Sequence, residues 1–334
     1  MKRRKRGGGR EVTDRGRAAE GRPLQCGPVR HIPVLLQEML RALAPKAGER
    51  YIDATFGAGG YSHAILAVPG TEVLALDRDP DAIRAGHDLE ARFSGRLKLR
   101  EIAYSQMEDA ANAIGWDGVD GIAMDLGVSS MQLDESERGF SFLREGPLDM
   151  RMSKEGLSAA DVVNTFEEDE IARILYKFGE ERRSRAIAAA IAQEREKAPF
   201  TRTSELANLI SRVLRHNPRD PKHPATRSFQ ALRLYVNDEL GELGRALPAA
   251  ERLLRPGGRL VIVTFHSLED RIVKSFLSER AGKRPRLSRH LPAEAELVPP
   301  SLELPEPHGI TPSEAEIAAN PRARSARLRW AVRR

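Results

Sequence analysis

Two acids and a cluster of glycines carry the chemical signal in this sequence. Asp53 opens the segment DATFGAGG (53–60), in which Gly57, Gly59 and Gly60 let the main chain turn tightly and approach a ligand closely. Asp77 closes the run TEVLALD (71–77), 17 residues after Gly60, where an acid is the expected partner of a ribose diol. Asp125 closes the fourth apolar run inside DGIAMDLGVSS (120–130), beside a Gly and two Ser. Taken singly, each feature has a plain structural reading, as a tight loop, a helix N-cap or a solvated strand end. Together they describe a pocket for an adenosine-type ligand with ribose hydroxyls.

These residues need a scaffold that brings them to one edge. Short apolar runs at 51–55, 71–77, 96–102 and 119–126 alternate with helical patterns at 61–67, 79–93 and 105–115, and a helix over 31–43 precedes them. Such alternation predicts a parallel sheet with right-handed crossovers, whose ligands sit beyond the carboxyl ends of the strands. From 128 to 222 no strand pattern is present. Helical segments near 158–164, 167–178, 180–197 and 203–214 predict an insertion over 132–222, followed by one long helix over 225–254. The sheet resumes in LRPGGRLVIVTF (254–265), a helix follows over 268–280, and SARLRWAVR (325–333) alternates as a last strand. The expected organisation is a basic arm, 1–28, a discontinuous α/β domain, 29–131 with 223–334, and a helical insertion that recognises the substrate.

Composition narrows the function classes. A single cysteine, Cys26, rules out a disulfide framework, a Cys-based zinc finger and a CxxC redox centre. No apolar run approaches a membrane span, and the basic start MKRRKRGGGR has no apolar core behind it, so a cytoplasmic protein is expected. The formal charge of +6 sits at the ends. Residues 1–22 hold nine Lys/Arg and three Asp/Glu, and residues 321–334 hold six Arg and no acid. The stretch between them is net acidic, so the basic ends and local patches, not the whole body, are what could meet nucleic acid. No GxxxxGK[ST] is present, which excludes a P-loop. A nicotinamide dehydrogenase would use the same glycines and acid, but Asp125 on the fourth strand and the terminal strand favour a methyl-donor sheet.

Several blocks then converge: DATFGAGGYS (53–62), ALDRDPDAI (75–83), DGIAMDLGVSSMQLDESERGFSFLREGPLDMRM (120–152), GEERRSRAIAAAI (179–191), HPATRSFQALRLYVNDEL (223–240), FHSLEDRIVK (265–274) and NPRARSARLR (320–329). From about His31 to Arg329 the chain closely resembles the bacterial small-subunit ribosomal RNA methyltransferase H family, also called MraW. The resemblance implies a class I, Rossmann-like, S-adenosylmethionine-dependent methyltransferase sheet with a helical insertion. It implies S-adenosyl-L-methionine as methyl donor and N4-methylation of one cytidine in the decoding region of 16S rRNA, in the small ribosomal subunit. Another RNA or a protein acceptor is the alternative. The family's cofactor contacts carry over to Gly59, Gly60, Tyr61, Asp77, Tyr104, Asp125 and Gln132. Tyr61 stands where the family usually has His, and Tyr104 where it often has Phe; a backbone contact survives the first change and an adenine-stacking ring the second.

The transfer itself asks mainly for positioning. Asp125 is the catalytic candidate, as an acceptor for the amine, and it also serves a purely cofactor-binding reading. On the substrate side the candidates are Phe140 (with Phe142) for base stacking, then His223, Arg227 and His266. Arg182, Arg183, Arg185, Arg233, Arg322, Arg324 and Arg327 are phosphate contacts or solvated faces. Neither His223 nor His266 has metal-ligand spacing with another ligand, so no metal is expected. The oligomeric state is open, a homodimer being one option.

Overall fold

β-branched and apolar residues flanked by Gly, Asp and Pro build the strands, and the computed structural model places them in one seven-stranded sheet. It describes residues 33–215, 223–283 and 299–334, all within the compact unit His31–Arg334. The expected basic arm at 1–28 lies outside the described residues. The strands are β1 (Arg50–Asp53), β2 (Glu72–Asp77), β3 (Leu97–Glu101), β4 (Val119–Asp125), β5 (Leu254–Thr264), β6 (Leu302–Glu303) and β7 (Arg327–Arg333). Their order is β3-β2-β1-β4-β5-β7-β6. β1 to β5 are parallel, and β7 runs antiparallel beside β5. The order reverses between β1 and β4, which is where a crevice opens on such a sheet. This is the α/β, Rossmann-like layout expected of a class I methyltransferase, with the reversed terminal strand.

Helices α1 (Leu36–Leu43), α2 (Gly60–Leu66), α3 (Pro80–Arg92) and α4 (Met107–Asn112) join the first strands. The short α5 (Ser130–Asp134) follows β4, begun by a reciprocal cap between Ser129 and Gln132. Then come α6 (Ala159–Thr165), α7 (Glu168–Gly179), α8 (Ser184–Arg195) and α9 (Thr203–Leu214), within a residue or so of the expected bounds except at the start of α8. The single helix expected over 225–254 is two, α10 (Thr226–Val236) and α11 (Glu239–Leu253). Asp238 between them adopts a left-handed φ of 46°. The break is tertiary in origin. The buried Asn237 side chain donates to the Met150 carbonyl and accepts from the Met152 amide, contacts that a continuing helix would not deliver. Helix α12 (Ser267–Arg280) follows β5, and α13 (Glu314–Ala319) precedes β7.

Two apolar clusters cover the two faces of the sheet. A third is helical and runs from Phe140 through α6–α9, closing with Ala225, Phe229, Ala231 and Leu232 of α10. The helical layer therefore continues past residue 222, where the pattern had ended it. Two features seat this layer. Gly179 ends α7 where a Cβ would lie 2.6 Å from the Arg227 carbonyl oxygen, so only glycine allows the approach to α10. Arg138, 7% exposed, reaches from the layer to the β2–α3 turn and pairs with the buried Asp79 at 2.8 Å.

Candidate active site

The turn after β1 is held by the acid that ends it. Buried Asp53 accepts from the Ser62 amide (3.1 Å) and hydroxyl (2.7 Å), which fastens the start of α2 beneath the loop. Burial pushes its carboxyl up, against the pull of those bonds. Thr55 reaches sideways and accepts from the Asp125 amide at 2.7 Å, so loop and β4 end are stitched together. Gly57, with φ 52°, turns its amide onto Asp77 at 2.8 Å. The Asp79 amide donates to the other Asp77 oxygen, also at 2.8 Å. Each carboxylate oxygen keeps a second lone pair for a ligand hydroxyl. Burial raises the Asp77 pKa to about 6, the two amide bonds notwithstanding.

A cavity of about 300 Å³ opens at these three strand ends, and Gly60, Tyr61, Asp77, Tyr104, Asp125 and Gln132 all line it. Gly59 does not. Its φ is 76°, and a Cβ there would lie 2.8 Å from the Phe56 ring, so this glycine serves packing and the turn. The Tyr61 hydroxyl is committed to the Val34 carbonyl and its ring to the core. Tyr104 donates to the Glu239 carbonyl at 3.2 Å, which fixes its ring on the wall. Gln132 has its amide engaged at both ends, donating to Asp79 (2.8 Å) and accepting from Ser129 (3.0 Å).

Asp125 differs from the other two acids. Its Oδ1 is buried and has no hydrogen-bond partner among the described residues. Burial, with the charges of Asp53 and Glu269, pushes its carboxyl well above the usual range. A buried, unpartnered oxygen is costly in a folded protein and marks a place where a ligand donor or cation is expected.

A second cavity, of about 420 Å³, brings together His223 from the chain before α10, Arg227 on α10 and His266 at the start of α12, with Glu180 and Gln230. It adjoins the first: Phe265 lines one and His266 the other. His266 caps α12, its Nδ1 accepting from the Glu269 amide at 3.4 Å. Glu269 is buried; His266 and Arg233 outweigh the burial and hold its carboxyl below the usual range. His223 stacks on Phe142 at 4.6 Å and accepts from the Ala225 amide. The expectation for Phe140 is corrected: it is 7% exposed, inside the helical core and under the Arg138 guanidinium, so its ring is not presented to a base.

A model of the MraW methylase family matches residues 28–334. This chain belongs to that family. The member is 58% identical to the ribosomal RNA small subunit methyltransferase H of Beijerinckia indica subsp. indica, over 95% of this chain and 89% of that one. It is 56% identical to the protein of the same name from Methylocella silvestris, over 95% and 92%. Among solved structures, an rRNA methylase from Streptococcus thermophilus aligns over 89% of this chain and 93% of its own at 8% identity, with a TM-score of 0.39, too remote for anything to rest on it.

Arg233 and Arg322 of this MraW family member both line the first cavity, Arg233 largely buried and Arg322 still exposed. Arg233 is tucked against Glu239 (2.7 and 3.0 Å), and Arg322 binds the Ser130 hydroxyl and Asp134. Glu239 lies six residues from Arg233, outside helical pairing distance; the break at Asp238 is what turns it back. Phe265 on the cavity wall and Asp79 behind it carry no signal of their own in the sequence. Among the described residues no group of His, Cys, Asp or Glu is placed to hold a metal ion, and no helix is long and apolar enough to cross a membrane.

Proposed function

We propose that this chain transfers a methyl group from S-adenosyl-L-methionine to the exocyclic N4 of one cytidine in the decoding region of 16S rRNA, acting on the small ribosomal subunit in the cytoplasm. The observation that carries the reading is the unpartnered Asp125 oxygen, set in the first cavity beside a second, polar one, in a chain of this family. The first cavity fits the cofactor's chemistry. Asp77 offers lone pairs to ribose hydroxyls, Tyr104 offers a fixed ring to adenine, and the unpartnered Asp125 oxygen offers an acceptor to a donor group of the ligand. When bound, S-adenosyl-L-methionine supplies a methyl group already activated by its positive sulfur.

The chain's own residues do the positioning. Asp125 Oδ1 accepts an N4–H bond, which turns the amine lone pair toward the donor side; such orientation contributes several kcal/mol, up to roughly 7–11 in ideal cases. No strong base is needed, because the methylated ammonium is acidic and sheds its proton readily. His223, Arg227 and His266 form the acceptor side, where the base leaves the stack and meets polar groups. We read the helical layer as the part that meets RNA, its cavity-facing wall being the end of α7. The test is methyl transfer from labelled S-adenosyl-L-methionine to undermethylated small subunits, followed by nucleoside mass analysis. N4-methylcytidine in the 16S chain supports the reading; label confined to protein, or a C5- or ribose-linked methyl, overturns it.

A further inference from the structure

The corner between α7 and α8 has one face on the second cavity and another on solvent. Gly179, Glu180 and Glu181 line the cavity. Arg182, Arg183 and Arg185, the next residues along, line a separate concavity of about 840 Å³ together with Tyr176 and Arg173. Tyr176 is 66% exposed, unusual for a large ring in this protein. The three arginines are exposed, and none of their side chains has an ion pair or hydrogen bond among the described residues. Elsewhere Arg245, Arg252, Arg280 and Arg329 each hold a carboxylate.

The placement works against the helix that bears it. The first turn of α8 contains no acid, and Arg183 and Arg185 sit at its positive end, where cations are disfavoured by the peptide dipoles. Three neighbouring guanidiniums also repel one another. An anion relieves both penalties. The base beneath them is rigid: Ser184, Ile187 and Ala188 are buried, and Gly179 is locked against α10. Forked cations with an exposed ring are the pair of features that grips a single strand, phosphates on the first and a base face on the second.

We propose that this outer face is a docking platform for single-stranded RNA, in which Arg182, Arg183 and Arg185 hold phosphates and Tyr176 stacks one base. The proposal rests on the RNA methyltransferase reading and adds to it the path of the strand: nucleotides flanking the one in the second cavity cross the corner at Glu181–Arg182. It is tested on the full chain with a labelled oligouridylate and with undermethylated small subunits. In R182Q/R183Q/R185Q the slope of log affinity for the oligomer against log salt falls by about 2, from about 0.7 per phosphate lost. Tyr176→Ala weakens the oligomer about tenfold or more at unchanged slope, and Tyr176→Phe restores it. For subunits KM rises in both, while kcat and cofactor affinity stay at wild-type values, which also reports intact folding. An unchanged slope and KM, with the wild type active, overturns the platform and leaves the methyltransferase reading in place. Weakened subunit binding with unchanged oligomer binding means that the face meets protein, and equally overturns it. A wild type that methylates no RNA removes the underlying reading instead.

Discussion

Replacing Asp77 by Asn tests the cofactor cavity through its pH dependence. In the free protein the Asp77 pKa is about 6 against an ordinary 3.8, chiefly through burial. The folded state thus holds this proton more tightly than the unfolded chain does. The group's contribution to stability is present below pH about 4 and is lost as pH rises through about 6, a change on the order of 3 kcal/mol. Ligand hydroxyls reverse the preference, because they donate to the ionised form. Affinity for S-adenosylhomocysteine is therefore expected to rise about tenfold per pH unit toward pH 6 and to level off above it. Asp77→Asn keeps the size but sets an NH2 against the Gly57 or Asp79 amide, so it loses one loop bond as well as charge-assisted bonds to the ligand worth about 1.5–3 kcal/mol each, and it binds about ten- to hundredfold more weakly at neutral pH. It also loses the pH slope. Asp125 titrates as well but is common to both proteins, so the difference between them isolates Asp77. Calorimetric titration from about pH 5 to 8 is the assay. A wild-type affinity flat across that range, or an Asn variant that binds like wild type, refutes the reasoning.

Asp125→Asn is expected to lower methyl transfer about a hundredfold or more, with a thermal midpoint at neutral pH no lower than wild type, since burial makes ionising this unpartnered carboxyl costly; scanning calorimetry and turnover together check this, and a lowered midpoint with full activity contradicts it. Gly179→Ala should destabilise by about 1–3 kcal/mol in urea unfolding, because its Cβ would meet the Arg227 carbonyl oxygen at 2.6 Å. Arg138→Ala takes from the buried Asp79 its cationic partner at 2.8 Å and should cost about 3–5 kcal/mol by the same measurement; a loss near zero would show that Gln132 and the Asp81 amide together satisfy the acid.

Much of the scaffold was legible because local and global signals agree. Apolar runs that end in Asp53, Asp77 and Asp125 are strands that deliver those acids to one edge, and the 3.6-residue pattern gives α7 and α9 almost to the residue. Legibility failed where a distant contact decides. The break at Asn237–Asp238 depends on main-chain groups of Met150 and Met152, some 85 residues away along the chain. Arg233 reads as a solvated cation because its partner Glu239 arrives through that break. Gly59 carries a motif glycine's spacing but answers to the Phe56 ring. Phe140 reads as a stacking ring by type alone, and only the position of α10 and its neighbours buries it.

On this reading the cavity at the ends of β1, β2 and β4 holds the methyl donor and the cavity past Phe265 holds the base. A crystal structure of the chain with S-adenosylhomocysteine and cytidine 5′-monophosphate tests it most directly. The expected result has the ribose on Asp77, the adenine on Tyr104, and the cytosine amine within hydrogen-bond distance of Asp125 Oδ1, with His266 or Arg227 touching the nucleotide. Density for the adenosyl group outside that cavity, or a cytosine remote from Asp125 with the donor site filled, would contradict it.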